Sequence, residues 1–196
     1  PTLMEGFYTD DARDLIEMYK GIKKAGLITS LDVAAIDPES KAGRLDWEEI
    51  LKQVLPYVDI FEPSFEELLY MVDKKAYKKI LERAEEEDVC MCLSLNKDIL
   101  PLAKKVMGFG ASILLIKCGA AGMYLCTADG VSSKLGLDCE WDNISYFQKS
   151  FKPDRIKSAI GAGDTSIAAF LYGIINGYKP KDAAKIAAGT GAVCIT

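Results

Sequence analysis

Apolar positions along this chain follow two rhythms that take turns. Residues 10–25 place Leu15, Tyr19 and Ile22 at helical spacing, with Gly26 positioned to end the helix. Residues 27–33 (LITSLDV) form a short apolar, β-prone run, which predicts a buried strand with Asp32 near its carboxyl end. The helical period returns over 46–55, where Asp46 suits the N-cap and Trp47, Ile50, Leu51 and Val54 share one face. A short strand is expected at 58–61, a helix capped by Ser64 at 65–72, and an amphipathic helix at 76–87. Next come a predicted strand at 89–95, a helix at 99–107 closed by Gly108, and the clearest buried strand of the chain, ASILLIK, at 111–117. A hairpin is expected from 122–127 and 131–135 around an Asp129-Gly130 turn. Residues 136–157 are mixed in polarity and read as a loop over a sheet edge. Helices at 163–176 and 181–195, separated by Gly177-Tyr178-Lys179-Pro180, finish the chain.

Strands alternating with helices of this length predict an α/β fold, a mainly parallel sheet with helices on both faces. No repeat, low-complexity stretch or linker interrupts it, so residues 1–196 read as a single domain. The domain reads as partial at both ends. No strand precedes the first helix, and Ala192-Val193-Cys194-Ile195-Thr196 gives no polar finish.

Composition narrows the chemistry. A net charge of −5 gives no general attraction to nucleic acid or to an anionic membrane. A polyanionic ligand would need local help from backbone amides, a lysine or a metal. No apolar run approaches the roughly 18 residues that span a bilayer, and Pro1-Thr2-Leu3-Met4-Glu5 lacks the order of a signal peptide. A cytoplasmic protein is therefore expected. None of the six cysteines has the C-x-x-C spacing of a zinc site; they read as buried thiols in a reducing compartment, with a Cys90–Cys92 redox pair as the alternative. Histidine is absent altogether. That removes Ser-His-Asp and Cys-His nucleophiles and leaves proton transfer to a carboxylate, Lys, Tyr or Cys.

One segment concentrates the features of a phosphoryl site. Gly161-Ala162-Gly163-Asp164 stands directly before the helical run of Ile167, Ala168, Phe170, Leu171 and Ile174. Small residues at that junction let backbone N–H groups approach a ligand, and the helix start adds about half a positive charge. Asp164 would lie in the first turn, beside that anion site, where a carboxylate can take the proton of an attacking alcohol. The plainer alternative is a tight turn in which Asp164 only caps the helix. A dinucleotide fingerprint fits poorly, because Ser166 stands at the third glycine and residues 157–160 make a poor strand. No G-x-x-x-x-G-K-[ST] sequence occurs, which excludes a P-loop.

Ile160-Gly161-Ala162-Gly163-Asp164-Thr165, followed by Ala169-Phe170-Leu171, resembles the second signature of ribokinase-type (PfkB) carbohydrate kinases. Asp59 to Glu67 (DIFEPSFEE) resembles the family's N-x-x-E segment. Lys117-Cys118-Gly119-Ala120-Ala121-Gly122 resembles its glycine turn along the nucleotide. Ser30-Leu31-Asp32 and Asp46-Trp47 are similar to an uncharacterised branch of carbohydrate kinases. The resemblance covers nearly the whole chain and implies a ribokinase-like fold and an ATP-dependent transfer of phosphate to a sugar or nucleoside-like hydroxyl. It implies Asp164 as the base and the amides of Gly161, Ala162 and Gly163 as the anion hole. It further implies Gly119 and Gly122 against the nucleotide, Lys117 against phosphate charge, and Glu67, with Ser64 nearby, as the Mg²⁺ end of the site. A homodimer through the family's lid region, which this chain does not show, is also implied. Ser64 replaces the family Asn, and Ser158-Ala159-Ile160 replaces Asp-Thr-Thr, so potassium activation is not expected. Gly189 stands where the family often has an Asn near adenine. These departures motivate the alternative of a catalytically weak or regulatory homologue.

Overall fold

Short strands, pinned by buried side chains rather than by long ladders, organise the chain. A computed structural model describes residues 2–85 and 87–196, and the chain divides into two compact units, Pro1–Leu114 and Leu115–Thr196. A five-stranded sheet runs in the order β1-β2-β3-β4-β5.

In the first unit, α1 (Arg13–Lys24) buries Leu15, Ile16 and Tyr19. Strand β1 (Ser30–Leu31) pairs in parallel with β2 (Ile60–Phe61), and β2 with β3 (Ile113–Cys118). The expected strand at 27–33 contracts to two residues. Leu27 and Ile28 face solvent, and Thr29 donates its amide to the Asp59 carboxylate at 2.9 Å and its hydroxyl to the Tyr57 carbonyl at 2.8 Å. Asp59 is fully buried and also accepts from Lys23 Nζ at 2.7 Å. Fully buried Glu62 accepts from Ser30 Oγ at 2.7 Å. These two acids tie β1 to β2 from the side-chain level.

Helices α2 (Trp47–Val54), α3 (Phe65–Val72) and α4 (Lys74–Ala84) each start on an acceptor side chain, namely Asp46, Ser64 and Asp73. Such caps satisfy amides that the first helical turn leaves open. Residues 89–95 do not form the expected strand. Asp88 accepts from Cys90 N at 2.8 Å and turns Val89–Cys92 into a 3-10 helix, leaving Met91 exposed. This is local side-chain competition against a sheet ladder. A π-helical turn at Leu95–Ile99 leads into α5 (Leu100–Met107).

In the second unit, the predicted hairpin is replaced. Strand β4 (Gly122–Thr127) pairs antiparallel with β5 (Ser145–Lys149), inside the stretch expected to be a loop, while Val131–Leu135 is a short helix, α6. The two-residue hairpin turns, types I′ and II′, both need positive φ at the first central residue. Here Gly130 has φ +70° but Asp129 does not, and Asp142 ties down both the amide and the hydroxyl of Ser132. Gly122 (φ +129°) abuts β5: a Cβ there would overlap the Gln148 carbonyl and lie 2.9 Å from Lys149 Cα. Helices α7 (Ala162–Ile175) and α8 (Pro180–Cys194) pack through small residues. A Cβ on Gly173 would lie 3.1 Å from that of Ala183, and one on Gly191 would overlap Ser166 Oγ. Trp141 seals one end, donating to the Tyr178 carbonyl at 3.0 Å and meeting Phe170 edge-on.

No disulfide forms among the described residues. Cys139 and Cys194 are exposed, contrary to the expectation of buried thiols, because Cys139 opens a three-residue 3-10 helix and Cys194 is the last residue of α8, neither inside a strand.

Two predictions follow from these contacts. Gly122→Ala should lower the unfolding free energy by at least about 2 kcal/mol, combining positive-φ strain with overlap against β5; a urea titration superimposing on wild type would show that β5 yields. Burial pushes the Cys118 and Cys126 thiols up to about 12. Both should resist iodoacetamide near pH 8.5 while Cys139 and Cys194 react. Between their ordinary value of 9.0 and about 12 these thiols ionise only when the chain unfolds, so stability should fall as pH rises through that window. A Cys118→Ala/Cys126→Ala variant should lose less stability over the same interval.

Candidate active site

In the second unit, α7 begins without a side-chain cap. Gly161 takes the N-cap position with φ +80°, in the left-handed region that glycine tolerates best. Ala162 N donates to the Ala159 carbonyl at 3.3 Å. Thr165 donates both its amide, at 2.9 Å, and its hydroxyl, at 2.7 Å, to the Gly161 carbonyl. Among the described residues, the amides of Gly161, Gly163 and Asp164 have no protein acceptor. The Asp164 amide was not anticipated from the sequence.

Asp164 is exposed in this first turn, and its carboxylate makes no hydrogen bond or ion pair among the described residues. The plainer reading, in which Asp164 caps the helix, is therefore not what the chain does. Lys117, near the carboxyl end of β3, runs alongside: its Cε and Nζ each lie 3.9 Å from where a Cβ on Gly163 would stand. A Cβ at 163 would meet that lysine at ordinary van der Waals distance. Strand end and helix start thus converge on one surface carrying amide donors, a cation and a carboxylate. Gly119 opens an exposed 3-10 turn with φ +50°. Gly122 instead has its bare face against β5, which accounts for that glycine without a ligand.

The first unit holds Ser64 and Glu67. They form a reciprocal capping box on α3: Ser64 N donates to Glu67 Oε2 at 3.0 Å, and Glu67 N donates to Ser64 Oγ at 3.3 Å. Both are half-buried beside a cavity of about 250 Å³ that also meets Glu66, Tyr70 and Tyr77. One Glu67 oxygen is held by the cap; the other makes no hydrogen bond among the described residues. Burial first, then the charges of Asp88 and Glu67, raises the Glu66 carboxyl above its usual range. Two neighbouring carboxylates with spare hard oxygens suit Mg²⁺, which keeps much of its water and takes few protein ligands. Ligand atoms of Glu66, Asp88 and Cys90 also come within 4.8 Å of one another. That grouping has no local signature, because Asp88 caps and Cys90 lies in the unexpected 3-10 turn.

Loss of the cap is measurable by itself. Ser64→Ala should lower stability by about 1 kcal/mol, the usual magnitude for an N-cap hydroxyl, with wild-type behaviour in chemical denaturation as the contrary result.

Comparison with known proteins follows from this geometry. The pattern describing pfkB family carbohydrate kinases matches residues 30–196. A 93-residue stretch is 31% identical to 5-dehydro-2-deoxygluconokinase of Clostridium botulinum, covering 47% of this chain and 23% of that protein. Among solved structures, Arabidopsis thaliana ribokinase complexed with ribose and ATP aligns with a TM-score of 0.60 at 20% identity, over 94% of this chain and 46% of that one. Aminoimidazole riboside kinase from Salmonella enterica, complexed with aminoimidazole riboside and an ATP analog, aligns with a TM-score of 0.60 at 18% identity, over 92% and 50%. The ribokinase-like fold expected from the resemblance is thus present, in a chain that spans about half the length of these structures. Among the described residues, no helix is long and apolar enough to cross a membrane.

Proposed function

The chain belongs to the pfkB family of carbohydrate kinases, and on that premise we propose that it carries the phosphate-handling part of an ATP-dependent kinase acting on a hydroxyl of a sugar or related small molecule. The observation that carries this reading is the start of α7, where bare amides and an exposed, unpaired Asp164 share one helical turn. The amides of Gly161 and Gly163 stabilise negative charge on the phosphoryl group in transfer, and Ala162 joins them by giving up its long bond to Ala159. Donors fixed before reaction lose nothing to reorganisation, which is why backbone serves better here than flexible side chains. Asp164 orients the acceptor hydroxyl and accepts its proton as the oxygen attacks the γ-phosphate. Lys117 lies beside Gly163 and offsets phosphate charge. The exposed turn at Gly119 lies along the nucleotide, with Gly122 holding that turn against β5.

Glu67 would be the residue to hold Mg²⁺, and Ser64 fixes the Glu67 carboxylate by the capping box. Bound Mg²⁺ supplies charge neutralisation on the phosphates of ATP. ATP and Mg²⁺ are thus the nucleotide substrate and its cation in this reading. The capping box also gives a physical sense to serine at the family's Asn position: a short hydroxyl both starts the helix and orients the metal-side acid.

In full-length protein assayed with ATP and Mg²⁺ against sugars and nucleosides, Asp164→Ala should lower kcat by about 100- to 10,000-fold with little change in ATP affinity. Glu67→Gln should shift the magnesium dependence to higher concentration. Turnover unaltered in the Asp164 variant would remove it as the base.

A further inference from the structure

Within the first unit, α3, α4 and α5 enclose a second cavity, of about 360 Å³, that shares no residue with the one beside Ser64 and Glu67. Each helix contributes one stripe of its surface. Phe65 and Leu69 come from α3, Ile80 from α4, and Leu102 from α5. The walls are therefore apolar, and the volume falls in the range of small-molecule pockets, roughly 300–1,000 Å³.

The rim is cationic on a chain whose net charge is −5. Four positive side chains border it: Lys79, Arg83, Lys97 and Lys105. Two are already committed. Arg83 pairs with Asp98 at 2.7 Å, and Lys105 contacts Glu48 at 2.7 Å and the Val72 carbonyl at 2.8 Å. Asp73, the other rim acid, accepts from Ala76 N at 2.8 Å as the α4 cap. Lys79 and Lys97 have no acidic partner among the described residues. They stand on different helices, so a single anionic group at the mouth can be approached from two sides.

We propose that this groove binds a small organic anion with an apolar body, the body lying between α3, α4 and α5 and the acid group held by Lys79 and Lys97. Both parts of such a ligand are matched: apolar surface leaves water against the helix stripes, and the charge meets two lysines that no acid among the described residues pairs with. A neutral apolar molecule would leave those lysines unanswered, and a hydrophilic anion would leave the walls unused. This inference does not depend on the phosphotransfer reading. It adds a second ligand site, reached over the side of α3 that carries Leu69 rather than the side that carries Glu67.

The test uses 1-anilinonaphthalene-8-sulfonate as the probe and its uncharged relative N-phenyl-1-naphthylamine as comparison, titrated fluorimetrically into the full chain. One saturable site is expected for the sulfonate, with at least tenfold weaker binding of the neutral compound. Lys79→Glu/Lys97→Glu should weaken sulfonate binding at least tenfold, while Lys152→Glu/Lys185→Glu, a charge swap in the other unit, should leave it unchanged. Thermal melts establish that the variants are folded; if the Glu pair does not fold, the milder Lys79→Gln/Lys97→Gln pair should still weaken binding several-fold. Ala76→Phe, which fills the groove wall without altering charge, should abolish the site. Equal affinity in the lysine variants, equal binding of the neutral probe, or saturation unaffected by Ala76→Phe would each overturn the proposal.

Discussion

Three backbone N–H groups at the start of α7 that no acceptor among the described residues answers are the constraint around which the second unit is arranged. A helix always leaves its first amides open, and most sequences close them with a serine, threonine or acid. This same chain does so at Asp46, Ser64 and Asp73. At α7 it places Gly161 instead, with a backbone angle that suits glycine and no side chain to offer. The omission leaves donors pointing outward and lets Lys117 lie close against Gly163. Unanswered amides on a solvated surface cost little, since water can serve them, and they remain ready for an anion.

The acids of this protein divide by environment. Asp59 and Glu62 are sealed inside, where Lys23, Thr29 and Ser30 hold them and they join strands too short to hold each other by backbone bonds alone. Asp164 is left in water with no partner among the described residues. Glu67 stands between these extremes, one oxygen fastened and one spare. A carboxylate sealed in the core cannot reach a ligand, and one that is wholly loose is badly aimed. Glu67 and Asp164 resolve that tension differently, the first by a cap and the second by its place in a rigid helical turn.

Much of this was legible in the sequence, for identifiable reasons. The caps at Asp46 and Ser64 depend on residues three apart, so local reading finds them. The Gly161–Asp164 segment is legible for the same reason, since its chemistry follows from small residues directly before a helical run. Where outcomes depended on distant partners, the local pattern misled. Residues 145–149 look like loop because an edge strand half in water has no strong alternation, and only pairing with β4 makes them a strand. Residues 131–135 look β-prone, yet Asp142, ten residues beyond Ser132, stabilises a helix there. The hydrophobic run at 89–95 loses its strand to one carboxylate, Asp88. The approach of Lys117 to Gly163, 46 residues apart in the chain, has no local signature at all.

The contact between α7 and α8 carries an implication for how this chain can diverge. Ser166 Oγ occupies the volume that any side chain at position 191 would need, and the Ala162 carbonyl lies 3.4 Å from the same point. A methyl at 191 therefore collides with the hydroxyl at 166 if it arrives first, whereas losing that hydroxyl first leaves merely a small void. Descendants of this sequence should show the two positions changing in that one direction, so that their joint history records the sequence of events and not just their pairing.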